Sequence, residues 1–243
     1  MAPTRVRNAS LVYFQFSLNL RLITIDGPVA VGKSSVGLVL AGQLGFRFFD
    51  TGVIYRTFTS KALSAGISPS DTDALIRLAE STDFSFVPGN GARLTVLIDG
   101  EDLSSLLSNP EVERSVPVVA KIPEVRHKMV SEQRRMAGDV RLVMAGRDIG
   151  TVVLPWADLK IFLTASVSER ARRRHSELLA RGLSTPYETV VEELEVRDHN
   201  DTTRKVSPLK PAYDAVIIDT DGLSLEQVVD RIFDYARWLQ DQD

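Results

Sequence analysis

The sequence predicts an α/β fold, a parallel sheet flanked by helices and carrying a β-rich insertion, and three features predict it. Short β-branched runs alternate with helix-compatible stretches along most of the chain, the pattern that builds parallel sheets. A glycine-rich turn, Gly27-Pro28-Val29-Ala30-Val31-Gly32-Lys33-Ser34, joins the first such run to the first such stretch. Between about Ser81 and Pro123 the alternation gives way to two strands around a turn, which marks an antiparallel piece set into the α/β chain.

The elements follow in order. Leu22-Ile23-Thr24-Ile25-Asp26 is the first strand, and Ser35 to Leu44 is a helix that Gly45 stops, since glycine accepts the left-handed turn at a helix end. Phe46 to Asp50 is a second strand closed by Thr51-Gly52, and Val53 to Ala65 a second helix stopped by Gly66. Phe84-Ser85-Phe86-Val87 and Leu94-Thr95-Val96-Leu97-Ile98 flank Pro88-Gly89-Asn90-Gly91 as a hairpin, and the turn Asp99-Gly100-Glu101-Asp102 leads to a third strand or a short helix. A helix from Val125 to Ala137 returns the chain to the core, where Arg141 to Met144 and Asp158 to Leu163 are further strands. Ser166-Val167-Ser168-Glu169 is a capping box for a helix reaching about Ala180, and Thr185-Pro186-Tyr187-Glu188 reads as another, with Pro at the first helical position. These two helices, jointed at Gly182, form a hairpin that projects from the core. Ala215 to Asp219 is the last strand, and Leu225 to Trp238 the last helix, capped by Ser224 with Gln227.

The 243 residues hold 29 Lys plus Arg against 32 Asp plus Glu, a net charge of −3, so bulk charge does not attract nucleic acid and any anion site must be local. Without Cys there is no disulfide, thiolate metal site or cysteine nucleophile, a composition that suits a reducing compartment. His127, His175 and His199 show no paired spacing and read as surface or lid residues rather than ligands. Trp156, Phe14 and Phe16 read as packing, because no basic run surrounds them. There is no run of about 18 apolar residues, so no membrane span is predicted. Met1 to Leu20 has Arg5 and Arg7 ahead of an apolar stretch, an outline close to a signal peptide. Gln15, Ser17 and Asn19 dilute that stretch and no A-x-A site follows, so residues 1–20 read as a flexible extension and 21–243 as the domain.

Gly27-x4-Gly32-Lys33-Ser34 fits the P-loop pattern and sits in the strand-turn-helix context that the pattern requires. Glycines let backbone N–H groups wrap phosphates, Lys33 reaches the β and γ oxygens, and the Ser34 hydroxyl holds Mg2+. The nucleotide site is thus Gly27, Pro28, Val29, Ala30, Val31, Gly32, Lys33, Ser34 and Ser35. Three other polar clusters specify the reaction. Arg56 lies one turn into the helix after the second strand. Gly146-Arg147-Asp148 follows the third core strand, at the sheet edge where ligands of open α/β sheets bind. Arg197, Asp201 and Arg204 share a helix face by spacing. Arg56, Arg147 and Arg204 therefore come from three elements that a P-loop core brings to one crevice, which suits a second phosphoryl group facing the nucleotide and predicts transfer rather than hydrolysis.

The set Gly27 to Ser35, Asp50-Thr51-Gly52-x-x-Tyr55-Arg56, Gly146-Arg147-Asp148-Ile149-Gly150-Thr151-Val152-Val153-Leu154-Pro155 and Arg197-Asp198-x-x-Asp201-x-x-Arg204 resembles the bacterial cytidylate kinase family. The likeness runs from about Leu22 to the C-terminus, and the Gly-Arg-Asp-Ile-Gly-Thr-Val-Val stretch is its most specific part. It implies a P-loop NTPase core with a nucleoside monophosphate-binding subdomain and insertion at about 57–128 and a helical lid at about 174–200. It implies transfer of the γ-phosphoryl of Mg-ATP to CMP or dCMP, giving CDP or dCDP, by a cytoplasmic monomer with no nucleic-acid or membrane partner. By resemblance, Gly27 to Ser35 form the ATP site, Arg56, Arg147 and Arg204 clamp the CMP phosphate, Asp201 with Arg197 holds the ribose, Arg126 with Asp148 reads cytosine, and Thr51 lines the CMP site. Arg173 and Arg174 swing over the ATP phosphates as the lid.

Several positions depart from the family pattern. Ala145 stands where such kinases usually have an acidic residue, which leaves Asp50 or Asp26 to support hydrated Mg2+. Pro117 stands near where a cytosine-reading Ser often lies, with Ser115 two residues away. Asn200 and Thr202 replace basic residues sometimes found in the returning lid arm. On the motifs alone, another small-molecule P-loop kinase of uridylate or shikimate type, or a nucleotide-binding protein with weak catalysis, stays open.

Overall fold

In the computed structural model, which describes residues 20–138 and 140–240, the elements come in the order strand, helix, strand, helix before the insertion interrupts them. Leu22–Asp26 (β1), Lys33–Leu44 (α1), Arg47–Asp50 (β2) and Thr51–Ser64 (α2) are followed by Thr72–Ser81 (α3) and the strands Phe84–Pro88 (β3), Leu94–Ile98 (β4) and Glu101–Asp102 (β5). A 3-10 turn at Ser104–Leu106 leads to Pro110–Val119 (α4) and Pro123–Ala137 (α5). Leu142–Gly146 (β6), a π-helical turn at Ile149–Val153, Leu159–Thr164 (β7), Val167–Ala180 (α6), Tyr187–Thr203 (α7), Val216–Asp219 (β8) and Leu225–Gln240 (α8) complete the chain.

The main sheet has the order β2-β6-β1-β7-β8 and all its pairings are parallel. Register brings Asp26 level with Gly146 and Asp50 level with Ala145. The carboxyl ends of three strands thus meet at one edge, where a parallel sheet collects its ligands. Side chains alternate across the sheet. Leu142 and Met144 enter a core shared with α2, α5 and the insertion, whereas Val143 and Ala145 join Ile23, Ile25 and residues of α1 and α8 on the other face. Leu20, placed in the extension by sequence, is buried in this second core. Met1 to Asn19 lie outside the described residues.

The insertion forms an antiparallel sheet in the order β3-β4-β5, with Phe86 opposite Val96. It docks on β2, where Phe48 N–H donates to the Ala92 carbonyl at 2.8 Å and the Phe49 and Phe86 rings meet edge to face at 5.5 Å. Both alternatives after the Asp99-Gly100 turn occur, a short strand and then a helical turn.

Two expected details are corrected. Thr185 does not cap α7: Pro186 occupies the cap position and no side-chain bond closes it. Arg204 lies just past α7 in extended conformation, so helix spacing does not place it. By contrast Ser166 accepts the Glu169 N–H, and Ser224 and Gln227 exchange hydrogen bonds, as capping boxes should. Among the described residues no helix is long and apolar enough to cross a membrane.

Candidate active site

The turn after β1 holds Gly27, Ala30 and Gly32 at φ 151°, 60° and 97°. At Gly27 a side chain has no room, because a Cβ would come within 2.4 Å of the Leu163 carbonyl oxygen. Lys33 folds back, and its Nζ donates to the Gly27 and Pro28 carbonyls at 2.8 and 2.6 Å. Burial, then repulsion from Arg147, pulls the Lys33 pKa well below the ordinary lysine value, so an arriving polyphosphate would restore what desolvation takes away. Other outward carbonyls of the turn have donors too: Val29 from Arg170 Nη1 at 3.3 Å, Val31 from Arg173 Nη1 at 3.4 Å, and Gly32 from Val36 N–H at 2.9 Å. Ser34 Oγ donates to Asp50 Oδ2 at 2.6 Å, while Asp50 Oδ1 caps α2 by accepting Gly52 N–H.

Across the sheet edge the acidic and basic side chains interlock. Arg147 Nε donates to Asp201 Oδ2 at 2.7 Å, linking the end of β6 to α7. Asp148 is buried between Arg126, which donates to Oδ2, and Arg204, whose Nη2 lies 3.5 Å from Oδ1. Arg126 Nε also donates to Ser207 Oγ at 3.3 Å, and its guanidinium lies over the Tyr55 ring, whose hydroxyl pKa burial pushes up to about 12. Burial lowers the Arg197 pKa, and repulsion from Arg147, Arg174 and Arg56 adds to the effect, so these arginines share one field. The Arg56 guanidinium folds over the first turn of α2, close enough that a Cβ on Gly52 would sit 2.9 Å from its Nη1.

The sequence-predicted residues are thereby largely gathered at one edge, with two exceptions in orientation. Thr51 Oγ1 is committed to the Ala145 carbonyl at 3.0 Å, tying α2 to β6. Arg173 lies on the outer side of the phosphate turn, bonded to Glu169, to Thr220 Oγ1 and O, and to Val31 O. Arg174 pairs with Glu177. Sequence reasoning missed Arg170 and gave Asp26 only a possible metal-supporting part. Asp26 instead accepts the Ile149 and Gly150 amides, and its position directly before the P-loop was the signal available. For Arg170 there was none, since it is one arginine of a run in α6.

The family model described as cytidylate kinase matches residues 23–238. This chain belongs to the cytidylate kinase family. It is 45% identical to the cytidylate kinase of Carboxydothermus hydrogenoformans over 87% of this chain and 95% of that protein. It is 47% identical to that of Geobacillus sp. strain WCH70, over 89% and 96%. The cytidylate kinase of Streptococcus pyogenes serotype M18 is 43% identical over 90% and 97%. The four motif blocks that carry the resemblance therefore lie within a likeness that spans residues 23–238.

Proposed function

We infer that this kinase transfers the γ-phosphoryl group of ATP to CMP or dCMP, giving CDP or dCDP. The observation that carries the reading is Asp148 bracketed by Arg126 and Arg204, beside the Arg147–Asp201 pair, at the sheet edge that also holds Lys33. The carboxylates are neutralised by their own partners, so Arg56, Arg197 and Lys33 leave the crevice favourable to two phosphate groups. In this reading Arg56, Arg147 and Arg204 grip the acceptor phosphate, Arg197 and Asp201 the ribose, and Arg126 and Asp148 the base. The acceptor oxygen is already anionic, so the reaction needs no general base. Catalysis is alignment of two phosphates plus charge stabilisation by Lys33 and the arginines. The α6–α7 hairpin packs against Val29 and Ala30 of the phosphate turn, and its closing over bound nucleotides would exclude water, the competing acceptor.

The donor set also fits Mg2+. Ser34 Oγ and the Asp50 carboxylate are hard oxygens in contact, and Asp50 is the strand neighbour of Ala145. Asp50 thus stands beside the position where the family usually has its acid, whereas Asp26 has both oxygens committed to amides. Ser34 would hold the ion, with Asp50 supporting its hydration. When bound, the ion would offset charge on the donor phosphates.

A cytoplasmic monomer acting on small nucleotides is the accompanying proposal. The deciding experiment is a coupled assay of ADP release with CMP, dCMP, UMP, AMP and shikimate. CMP and dCMP should be preferred; turnover on UMP or shikimate above that on CMP, or tight ATP binding without turnover, would overturn the reading.

A further inference from the structure

Arg170 divides its guanidinium among three elements. Nε donates to the Ala165 carbonyl just past β7 at 3.2 Å, Nη1 to the Val29 carbonyl in the phosphate turn at 3.3 Å, and Nη2 to Asp198 Oδ2 on α7 at 2.6 Å. Its side chain is 4% exposed. An Arg–carboxylate pair left to itself tends to form two parallel bonds. Here the second amino group goes to Val29, and Asp198 Oδ1 is buried with no hydrogen-bond partner among the described residues. The geometry thus favours holding the turn over completing the ion pair.

The joint has an apolar side as well. Val29 and Ala30 pack against Ala171, Val190 and Leu194 of the α6–α7 hairpin. Ala30 keeps φ at 60°, a left-handed conformation that a non-glycine residue holds only where its surroundings impose it. On α7, Asp198 follows Arg197 directly and precedes Asp201 by one turn, and Asp201 holds Arg147.

We propose that Arg170, anchored by Asp198, is a positioning residue that couples acceptor binding on α7 to the shape of the phosphate turn. The proposal rests on the kinase reading and deepens it. In a trans peptide the carbonyl and the next N–H point in opposite directions, so fixing the Val29 carbonyl outward fixes the Ala30 N–H toward the phosphate side. An acceptor that draws on Arg197 and Asp201 moves Asp198 with the same helical turn, and Arg170 carries that displacement to Val29. Arg173 braces Val31 from the same helix but is tied to Thr220 rather than to α7, so it supports the turn without sensing the acceptor.

The test uses ADP and CMP, which bind both sites without a γ-phosphoryl to transfer, measured by titration calorimetry separately and together. In the wild type, CMP should tighten ADP by about 5- to 150-fold, the range of coupled sites. Asp198→Asn should bring that factor close to one while ADP alone binds as in the wild type. Arg170→Lys should lose the coupling and also weaken ADP alone, and Arg173→Lys should weaken ADP yet keep the coupling. A wild-type factor of one, or a factor that persists in Asp198→Asn, overturns the proposal. Amide exchange on the wild type needs no variant: CMP alone should slow exchange at Ala30 to Lys33, and unchanged exchange overturns the proposal. If the wild type neither binds CMP nor turns it over, the kinase reading falls and the proposal with it; intact CMP turnover with unaltered coupling in the variants overturns the proposal alone.

Discussion

The Asp26 carboxylate accepts the Gly150 backbone N–H at 2.7 Å across 124 positions of sequence. Its other oxygen accepts the Ile149 N–H at 2.8 Å. One buried side chain at the end of β1 therefore fixes both the entrance to the phosphate turn and the turn that follows Arg147 and Asp148. The two loops that would hold donor and acceptor share an anchor.

That anchor should make stability and activity respond oppositely to pH. Burial raises the Asp26 pKa from 3.8 to about 6, with the Gly150 and Ile149 amides opposing it, Asp148 adding repulsion and Lys33 partly relieving it. A carboxyl whose folded pKa is raised contributes stability that is complete below pH 3.8 and is lost as pH rises through about 6. The loss is on the order of 3 kcal/mol. Asp26→Asn cannot titrate, so its stability relative to wild type should climb between pH 4 and pH 7 by up to about that amount in urea titrations. An amide cannot offer an oxygen to each N–H group as a carboxylate does, so kcat/KM for CMP should fall in Asp26→Asn; wild-type activity should decline as pH drops through about 6, and the variant should lack that decline. A stability difference that is flat with pH would refute the assignment.

Lys33 is held by two carbonyls of the turn it completes. Lys33→Ala should lower kcat by about 10²- to 10³-fold, the scale for removing one preorganised charge-stabilising donor, with far-UV circular dichroism unchanged. Wild-type turnover in this variant would remove the phosphate turn from the mechanism.

Gly37 and Gly42 lie on the same helix in opposite surroundings. A Cβ on Gly37 would come within 2.4 Å of the Phe48 ring, which is 1% exposed and cannot move aside, whereas nothing lies within 4 Å of a Cβ on Gly42. Alanine gains up to about 1 kcal/mol of helix propensity at either site, but overpacking costs about 1 to 3 kcal/mol. Gly42→Ala should therefore raise Tm by a few degrees and Gly37→Ala lower it by several. Equal shifts in a thermal scan would show that α1 does not pack on β2 as described.

What was legible in the sequence is what local chemistry determines. The β-branched run ending at Asp26, the glycines of the phosphate turn and the Ser166 and Ser224 capping boxes each signal their structure within a few residues. α3 and α4 escaped notice for different reasons. α3 is short, and its Asp71 cap, which accepts Ala74 N–H, lies in a run of Ser and Asp that reads as loop. α4 holds Pro110 and Pro117, which read as breakers, but Pro110 sits in the first turn where no N–H is needed and Pro117 near the end. The parts played by Arg170, Arg173 and Asp26 depend on partners tens of residues away, and no local pattern announces them.

Asp148 and Arg147 are adjacent in sequence yet should separate base reading from phosphate gripping. An ionised carboxylate offers only acceptors, so Asp148 suits the cytosine amino group and repels the carbonyl oxygen that uracil presents there. Asp148→Asn also leaves the buried Arg126 facing a neutral amide, and breaking a buried pair costs about 3 to 5 kcal/mol of stability. Activity on CMP alone would confuse the two effects, so the quantity to measure is the ratio of kcat/KM for CMP to that for UMP, from which a shared loss of folded enzyme cancels. Asparagine both donates and accepts, so the ratio should narrow by about 1 to 3 kcal/mol, the scale of direct base readout. Arg147, bound to Asp201, is placed to grip phosphate, and a phosphate contact carries no base information. Arg147→Ala should weaken CMP and UMP alike and leave the ratio where it was. If the ratio moves in Arg147→Ala and stays fixed in Asp148→Asn, the two roles are reversed.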